Sequence, residues 1–280
     1  MHFREIRAKT ILVKSRLPDT DYVVNPYTGC EFGCLYCYAS FMGKFVNEPI
    51  ENWGNYVYVK TNAVAVFERE LSLLRERNSS IFISSVTDPY QGAESRYRLT
   101  RGILSAIARS RYPGPVSIQT KSSLVLRDMD VIKRIPDAEV GMTVTTTDDR
   151  LSRFLEVRAT AASMRVQALK RLNEEGIRTY AFVGPLLPHF RYEPELLDDV
   201  FAKIAGAGVA EVYVEHINLS GYIRKRMFDY LSGNPELQRA YSEATTEAHR
   251  KALDRIVKEK LDKYGLRIRL SGVIYHPEWH

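Results

Sequence analysis

The stretch NPYTGCEFGCLYCYAS, residues 25–40, contains all three cysteines of this 280-residue chain. Cys30, Cys34 and Cys37 follow one another at intervals of four and three positions, so a compact loop can turn their thiols toward one centre. Soft thiolates bind zinc or iron–sulfur clusters. The clustering of the cysteines therefore predicts a metal site.

The number of available ligands separates the two kinds of metal site. A structural zinc ion has four protein ligands, so zinc would need a distant fourth ligand here, such as His189, His216 or His276. A 4Fe–4S cluster held by three thiolates leaves one iron without a protein ligand, and catalysis uses such an open position. The spacing favours the cluster. A zinc-stabilised, non-catalytic binding module is the alternative from another class of protein.

The composition is typical of a soluble globular chain and excludes several other classes. Hydrophobic residues make up 45% and charged residues 26% of the sequence, which argues against wholesale disorder. An odd number of cysteines excludes a complete disulfide framework. The first 15 residues lack the apolar core of a signal peptide, and no stretch approaches the roughly 18 apolar residues of a membrane span. We predict a cytoplasmic protein that does not associate with membranes.

Strands and helices alternate along most of the chain, as expected of βα units. The predicted strands are Tyr22–Val24, Tyr56–Lys60, Ile81–Val86, Val116–Thr120, Glu139–Thr145, Ile177–Val183 and Glu211–Glu215. The predicted helices are Ala63–Arg77, Leu99–Arg109, Asp128–Ile135, Ala161–Glu175 and Glu195–Ala205. Some six strands with intervening helices favour an α/β fold, with a parallel sheet curved into a partial (β/α)6 barrel.

We predict a single domain, residues 1–280, with a core over about 22–216. The C-terminal extension, residues 217–280, is expected to be helical. Within it, 234–263 has the charge pattern of one or two amphipathic helices, and Leu266–Tyr275 alternates like a closing strand.

Polar residues follow several predicted strands, and functional sites in parallel sheets collect at the carboxyl ends of strands. These residues are Thr87, Asp88, Gln91, Lys121 and Thr145, with Glu156 and Arg165 further along the chain. Each has an ordinary alternative role. Asp-Pro after a strand is common turn chemistry, lysine is usually a solvated surface charge, and threonine is a good strand former.

The pattern C-x3-C-x2-C followed by an aromatic residue resembles the signature of the radical S-adenosylmethionine (SAM) superfamily. The longer string VNPYTGCEFGCLYCYA, residues 24–39, resembles the spore photoproduct lyase-like (DNA repair photolyase-like) branch of that superfamily. The strings TDPYQ, TKSSLVLRD and TVTTTDDRLSRFLEVRA extend the likeness to about residue 190. The resemblance implies the partial barrel, a 4Fe–4S cluster and SAM bound to its open iron. It also implies reductive cleavage of SAM, abstraction of a substrate hydrogen, and a low-potential flavodoxin or ferredoxin as the electron donor.

The resemblance also implies roles for individual residues. Thr87, Asp88 and Gln91 would hold the SAM amino group, and Lys121 would pair with its carboxylate. The Thr145 hydroxyl would contact the ribose, with Glu156 and Arg165 near the same cofactor. Tyr36 and Tyr38, which flank Cys37, resemble tyrosines implicated in returning a hydrogen to the product radical. The ordinary role for these two tyrosines is packing around the cluster.

The sequence gives only indirect indications of the substrate. Residues 96–134 contain nine Lys or Arg and two Asp, a local balance of 9 − 2 = +7 that is compatible with phosphate contact. Spore photoproduct lyases have a further cysteine that donates a hydrogen atom, whereas this chain has no fourth cysteine and carries Ser85 in the corresponding string. Thymine-dimer repair by the same route is therefore disfavoured. A lyase or transferase reaction on nucleic acid or a nucleotide-like substrate is the leading expectation, with a small metabolite or peptide as the alternative.

Overall fold

The computed structural model describes residues 1–275, and this part of the chain divides into two compact units. The first unit comprises Met1–Gly33, Ala39–Gly141 and Glu174–Arg178. The second comprises Cys34–Tyr38, Met142–Asn173 and the chain from Thr179 onward. The cysteine stretch therefore contributes residues to both units. The expectation of a single domain over 1–280 stays a prediction.

The elements of the described chain follow the alternation expected from the sequence. The strands are β1 His2–Ile6, β2 Leu12–Lys14, β3 Tyr22–Val24, β4 Tyr27–Thr28, β5 Tyr56–Lys60, β6 Ile81–Ile83, β7 Val116–Thr120, β8 Ala138–Thr143, β9 Arg178–Leu186, β10 Glu211–His216 and β11 Arg267–Ile268. The helices are α1 Ala63–Leu73, α2 Gly92–Tyr97, α3 Leu99–Arg109, α4 Met129–Ile132, α5 Asp149–Glu156, α6 Ala162–Glu174, α7 Pro194–Gly206, α8 Gly221–Tyr230, α9 Pro235–Glu243 and α10 Glu247–Tyr264. Short 3₁₀ segments lie at Tyr38–Phe45, Ile50–Asn52, Ser123–Asp128 and Pro188–Arg191.

The first unit contains a mostly parallel arrangement of strands. β3 pairs with β6 and β6 with β7, both in parallel, while β2 pairs antiparallel to β3 at one edge. Ile81 and Ile83 on β6 and Val116 and Ile118 on β7 are all at most 1% exposed, so the face that these alternate residues share is fully buried. This packing fixes the backbone at the ends of β6 and β7, from which the polar residues that follow extend.

A separate three-stranded sheet in the first unit corrects one expectation. The sequence placed Tyr56–Lys60 among the strands of the main sheet, whereas β5 pairs in parallel with β1 and antiparallel with β4. The apolar pattern of β5 predicts a buried strand and contains nothing that selects its partner, because pairing is decided by distant residues. The N-terminal strands β1 and β2 were not predicted, since charged residues interrupt their short apolar runs.

The second unit continues the parallel pattern. β9 pairs with β10 and β10 with β11, both in parallel. The Val144 amide, just after β8, donates to the Phe182 carbonyl on β9 at 2.9 Å. The α/β fold with mostly parallel strands, expected from the sequence, is confirmed.

The predicted closing strand Leu266–Tyr275 is wrong in its length. Strand β11 covers only Arg267–Ile268, and the later residue Ile274 makes an isolated bridge to Glu215. Leu270 has a φ of 60° in the left-handed region, which breaks an extended strand. The alternation of apolar residues gave no sign of this interruption.

The helices of the C-terminal extension match the expectation for 234–263, where α9 and α10 lie. α8 was not predicted. Among the described residues, no helix is both long enough and apolar enough to cross a bilayer.

Candidate active site

None of the three cysteines forms a disulfide. Cys30 and Cys34 are buried, at 7% and 6% exposure, while Cys37 is partly exposed. Within residues 1–275, no three His, Cys, Asp or Glu side chains converge in a geometry that would hold a metal ion. Ligation by the three cysteines therefore stays a prediction, although the donor set itself, three soft thiols, fits an iron–sulfur cluster.

Gln91 and Thr87 hold the backbone on both sides of Cys30. The fully buried Gln91 amide donates to the Gly29 carbonyl at 3.3 Å and accepts from the Glu31 amide at 2.9 Å. The Thr87 hydroxyl donates to the same Gly29 carbonyl at 2.6 Å. Both side chains were predicted to bind SAM. Their contacts fix the loop that presents the Cys30 thiol, and SAM binding by these two side chains stays a prediction.

Glu31 ties the cysteine loop to the start of α2. Its carboxylate accepts from the Ala93 amide at 2.5 Å. A Cβ at Gly92 would stand 2.7 Å from a Glu31 carboxylate oxygen, so the glycine leaves the space that this contact needs. The contact supplements the hold that Gln91 has on the loop.

Asp88 organises the ends of β6 and β7. Its carboxylate accepts from the Tyr90 amide at 2.9 Å, the Thr120 hydroxyl at 2.6 Å and the Lys121 amide at 2.8 Å. Burial raises the pKa of Asp88, and these hydrogen bonds oppose that rise. Because both carboxylate oxygens are occupied, the geometry favours a role in positioning Lys121. The Lys121 side chain itself is partly exposed.

Four of the predicted site residues meet in the second unit around Glu156, which is 1% exposed. The Glu156 carboxylate accepts from the Tyr36 hydroxyl, from the Thr145 hydroxyl at 3.2 Å and from the Arg165 guanidinium. The Ser152 hydroxyl donates to it at 3.0 Å. The sequence predicted Thr145, Glu156 and Arg165 near one another but did not predict that Tyr36 would join them.

Charge in this buried network is balanced internally. Burial works against the charge on Arg165, and the Glu156 carboxylate more than offsets that effect, so the pKa of Arg165 is raised. Burial, followed by the negative charge of Glu156, raises the pKa of Tyr36 well above its usual value. Arg165 also donates to the Thr143 carbonyl at 2.9 Å, which anchors the network to the end of β8. The arrangement supports Tyr36 as a neutral hydrogen-bond donor to Glu156.

Tyr38 differs from Tyr36 because 47% of its surface is exposed. Partial burial, then the negative charges of Cys37 and Glu215, raise the pKa of Tyr38. Glu215 lies in β10, one residue from its carboxyl end, and the Cβ of Glu215 is 3.1 Å from where a Cβ on Gly184 would stand. The sequence reasoning overlooked Glu215, although the strand-end rule applied to β10 selects it.

Arg226 is the second residue that the sequence reasoning missed. It lies on α8, and its guanidinium donates to the Cys34 carbonyl and the Leu35 carbonyl, each at 2.7 Å. No signal in the sequence could have found it, because α8 itself was not predicted and 191 positions separate Arg226 from Leu35.

An exposed aromatic pair lies on α5 and α8 in the second unit. The Phe154 and Tyr230 rings meet edge to face with centroids 6.0 Å apart, and they are 41% and 53% exposed. Phe154 directly precedes Leu155, whose carbonyl accepts from the Leu35 amide at 2.8 Å. The pair is therefore close to the Cys34–Tyr38 segment.

The basic stretch 96–134 offers less free charge than its composition suggested. The Arg101 guanidinium pairs with Asp128 and Asp130 at 2.8 and 2.7 Å. Arg127 pairs with Asp128 and with the buried Glu94. Arg109 also pairs with Glu68 and Lys133 with Glu175, so four of the nine cations are committed to ion pairs within the protein.

The remaining candidates have structural contacts of their own. His216 approaches Asp254 at 2.8 Å, and His189 is buried, while His276 lies outside the described residues. Ser85 contacts Asn25, whose side chain accepts from the Ser85 and Val86 amides at 3.0 and 3.1 Å.

An α/β fold with polar residues at the ends of its strands and three thiols in one loop is typical of a class of cofactor-dependent enzymes. The chain matches the radical SAM superfamily over residues 24–200, and it belongs to that superfamily. As a member of this superfamily, it is an enzyme whose reaction is unresolved.

Two relatives carry the likeness at the level of sequence. An uncharacterized protein of Methanocaldococcus jannaschii is 38% identical over 184 residues, which is 66% of this chain and 67% of that protein. An uncharacterized protein of Mycobacterium tuberculosis strain H37Rv is 33% identical over 251 residues, which is 86% of this chain and 73% of that protein.

Among solved structures, spore photoproduct lyase complexed with dinucleoside spore photoproduct has a similar fold. The TM-score is 0.72 at 14% sequence identity, covering 96% of this chain and 82% of that structure. At this identity the likeness shows the fold alone. It confirms that the fold of this chain resembles that of spore photoproduct lyase.

Proposed function

We propose that the protein uses a 4Fe–4S cluster, held by Cys30, Cys34 and Cys37, to cleave SAM reductively and abstract a hydrogen atom from a nucleic acid or nucleotide-like substrate. The observation that carries the proposal is membership of the radical SAM superfamily over a region that includes all three cysteines. The donor set of three soft thiols suits such a cluster. When bound, the reduced cluster supplies the electron for SAM cleavage, and a low-potential flavodoxin or ferredoxin is the proposed source of that electron.

The predicted cofactor-binding residues divide into one that we propose contacts SAM and others that we propose support the site. Lys121, with its backbone held by Asp88, is the candidate to pair with the SAM carboxylate. Thr87 and Gln91 support the site by fixing the Cys30 loop, as their contacts with Gly29 indicate. The other proposed cofactor-binding residues, Thr145, Glu156 and Arg165, already satisfy one another's polar atoms, so we assign them to supporting the site.

The exposed aromatic pair favours a substrate with stackable bases. Phe154 and Tyr230 present ring surface to solvent, and Arg150 and Arg153 on the same helix as Phe154 are exposed cations. Aromatic rings with adjacent cations bind single-stranded nucleic acid by stacking and phosphate contact. The similar fold of a lyase complexed with a dinucleoside is consistent with this class of substrate.

The cofactor part of the proposal is tested by anaerobic reconstitution with iron and sulfide. We expect about four irons per chain from the predicted cluster type, with visible iron–sulfur absorbance, and formation of 5′-deoxyadenosine when dithionite and SAM are added. Cys34→Ala should abolish 5′-deoxyadenosine formation, whereas Ser95→Ala, at an exposed position on α2, should not. Uptake of zinc alone without cluster absorbance would establish the zinc-stabilised module instead.

The substrate part needs a separate measurement. Deuterated oligonucleotides, nucleotides, peptides and small metabolites are incubated with the reconstituted enzyme, and deuterium in 5′-deoxyadenosine is measured by mass spectrometry. Transfer from an oligonucleotide or nucleotide supports the proposal. Transfer confined to peptides or metabolites would establish the alternative substrate class while leaving the cofactor assignment intact.

A further inference from the structure

Within the second unit, the turn that contains Cys34 and Cys37 has one internal hydrogen bond and is bonded to two helices. The Cys37 amide donates to the Cys34 carbonyl at 3.2 Å, which closes the turn on itself. The Leu35 amide donates to the Leu155 carbonyl at 2.8 Å. From α8, the Arg226 guanidinium donates to the carbonyls of Cys34 and Leu35, each at 2.7 Å. The turn thus has an anchor on α5 and another on α8.

The chemistry of arginine suits this contact. A guanidinium is planar, carries a fixed fork of donors and stays protonated in proteins, so it can bond two consecutive carbonyls at once. Hydrogen bonds from a charged donor are stronger than neutral ones. The Tyr222 ring lies 5.4 Å from the Arg226 guanidinium and helps to fix its direction. A lysine in this place would keep the charge but lose the fork.

We infer that Arg226 is a positioning residue for the cluster: it fixes the Cys34–Cys37 turn and brings a positive charge next to it. The inference rests on the proposed function. Arg226 lies beyond residue 200, where the match to the superfamily model ends. It therefore makes α8, in the C-terminal extension, part of the machinery that serves the cysteines.

The two effects of Arg226 have separate physical consequences. Both hydrogen bonds go to neutral carbonyl oxygens, so they do not cancel the charge of the guanidinium. A nearby positive charge stabilises the reduced cluster, which carries one more electron, and so raises its reduction potential. The two-pronged hold keeps the turn from opening, and this slows loss of iron.

Three substitutions separate these effects. Arg226→Lys keeps the charge and should leave the midpoint potential near that of the wild type, while iron is lost to a chelator several-fold faster. Arg226→Gln removes the charge and should shift the potential to more negative values as well as speeding iron loss. Arg224→Gln, two residues away on the same helix, is the matched control and should change neither measurement. The midpoint potential is measured by a redox titration followed by electron paramagnetic resonance.

A measurement without the cluster keeps the inference distinct from the proposed function. In the metal-free protein, hydrogen exchange of the Leu35 and Cys37 amides should be faster in both Arg226 variants than in the wild type or Arg224→Gln. A wild type that takes up no cluster would overturn the proposed function, while faster exchange would still support the hold on the turn. Unchanged exchange, iron loss and potential in both Arg226 variants would overturn the inference. If Arg226→Gln does not fold, Arg226→Lys decides by its exchange and iron loss.

Discussion

Gln91 shows how a single buried side chain can position a reactive thiol without touching it. Its amide bonds the peptide groups on either side of Cys30, at the Gly29 carbonyl and the Glu31 amide. A buried polar group that loses its partner costs about 1–3 kcal/mol. The residue is therefore placed to decide both the stability of the loop and the presentation of Cys30.

Substitution of Gln91 should expose both effects. Gln91→Ala leaves the Glu31 amide without its acceptor, while the Gly29 carbonyl keeps the Thr87 hydroxyl, so we expect a loss of about 1–3 kcal/mol in the free energy of unfolding. We also expect reduced iron retention after reconstitution. Gln91→Glu keeps an acceptor for Glu31 but places a buried carboxylate against the Gly29 carbonyl, so its loss at neutral pH should be at least as large. Urea unfolding and iron analysis measure these effects. Wild-type iron retention in Gln91→Ala would show that the contact is dispensable for the cluster.

Tyr36 and Tyr38 should respond differently to removal of their hydroxyl groups. Tyr36→Phe removes one of the donors to the buried Glu156, so the free energy of unfolding should fall by about 1–2 kcal/mol. Tyr38→Phe acts on a half-exposed side chain and should change stability by less than about 0.5 kcal/mol.

Turnover distinguishes the two tyrosines further. If Tyr38 helps to return a hydrogen to the product radical, as the resemblance implies, Tyr38→Phe should lower product formation while 5′-deoxyadenosine formation without substrate stays at the wild-type rate. Equal loss of stability in both variants would contradict the assignment of Tyr36 to the buried network.

At the scale of elements, α5 and α8 bring together features that are distant in the chain. α5 begins at an N-cap, where the Asp148 carboxylate accepts from the Arg150 and Leu151 amides. The helix then places Phe154 on the surface and Glu156 in the core, so one short element serves both the exposed pair and the buried network.

The aromatic pair on these two elements gives a binding prediction. The double variant Phe154→Ala/Tyr230→Ala should weaken binding of a labelled single-stranded oligonucleotide, because each stacked base contributes about 1–3 kcal/mol. This corresponds to about a 5- to 150-fold increase in Kd for one base. Fluorescence anisotropy at two salt concentrations measures the change. Phe45→Ala, which removes another exposed ring, serves as the control. Equal affinities in all three proteins would remove the support that the pair gives to a nucleic acid substrate.

The elements also show which patterns in the sequence were informative. The bounds of β5, β7 and α3 match the prediction residue for residue. Their apolar spacing and flanking turn residues indicate both the type of element and where it ends. β5 nevertheless belongs to a different sheet from the one expected. Pairing depends on β1, whose exposed residues give no apolar pattern. The local sequence pattern therefore predicted whether a segment is a strand or a helix, but it did not predict which strand it pairs with.

At the scale of the whole molecule, the same limit explains what was predicted of the site. The cysteine cluster was found because all three cysteines lie within eight residues, and the strand-end rule selected Asp88 and Lys121. Whether a residue touches a cofactor or supports one that does depends on burial and on hydrogen bonds across the fold. Nothing in the sequence shows that Glu156 is buried, and in the structure it is 1% exposed. Arg226 was invisible for the same reason.

The buried histidines give the whole molecule a predictable response to acid. Burial lowers the pKa of His189 to about 4, and burial together with the charge of Arg191 lowers the pKa of His249 to about 4. Their unfolded value is 6.5, so between pH 6.5 and pH 4 the unfolded chain binds protons that the folded chain does not. Stability should therefore fall as the pH falls through this window. Asp88, whose pKa burial raises, works in the opposite direction, because its contribution falls as the pH rises.

A substitution isolates the contribution of one histidine from that of Asp88. Between pH 7.5 and pH 5.0, the metal-free wild type should lose about 1–2 kcal/mol of unfolding free energy for each of these histidines. In His189→Gln, the loss over the same interval should be smaller by about that amount, because Asp88 is unchanged and only one titrating group has been removed. Urea unfolding at the two pH values measures the difference. An identical pH dependence in the wild type and in His189→Gln would mean that His189 binds its proton equally well in the folded and unfolded chains, and its burial would then not be the source of acid sensitivity.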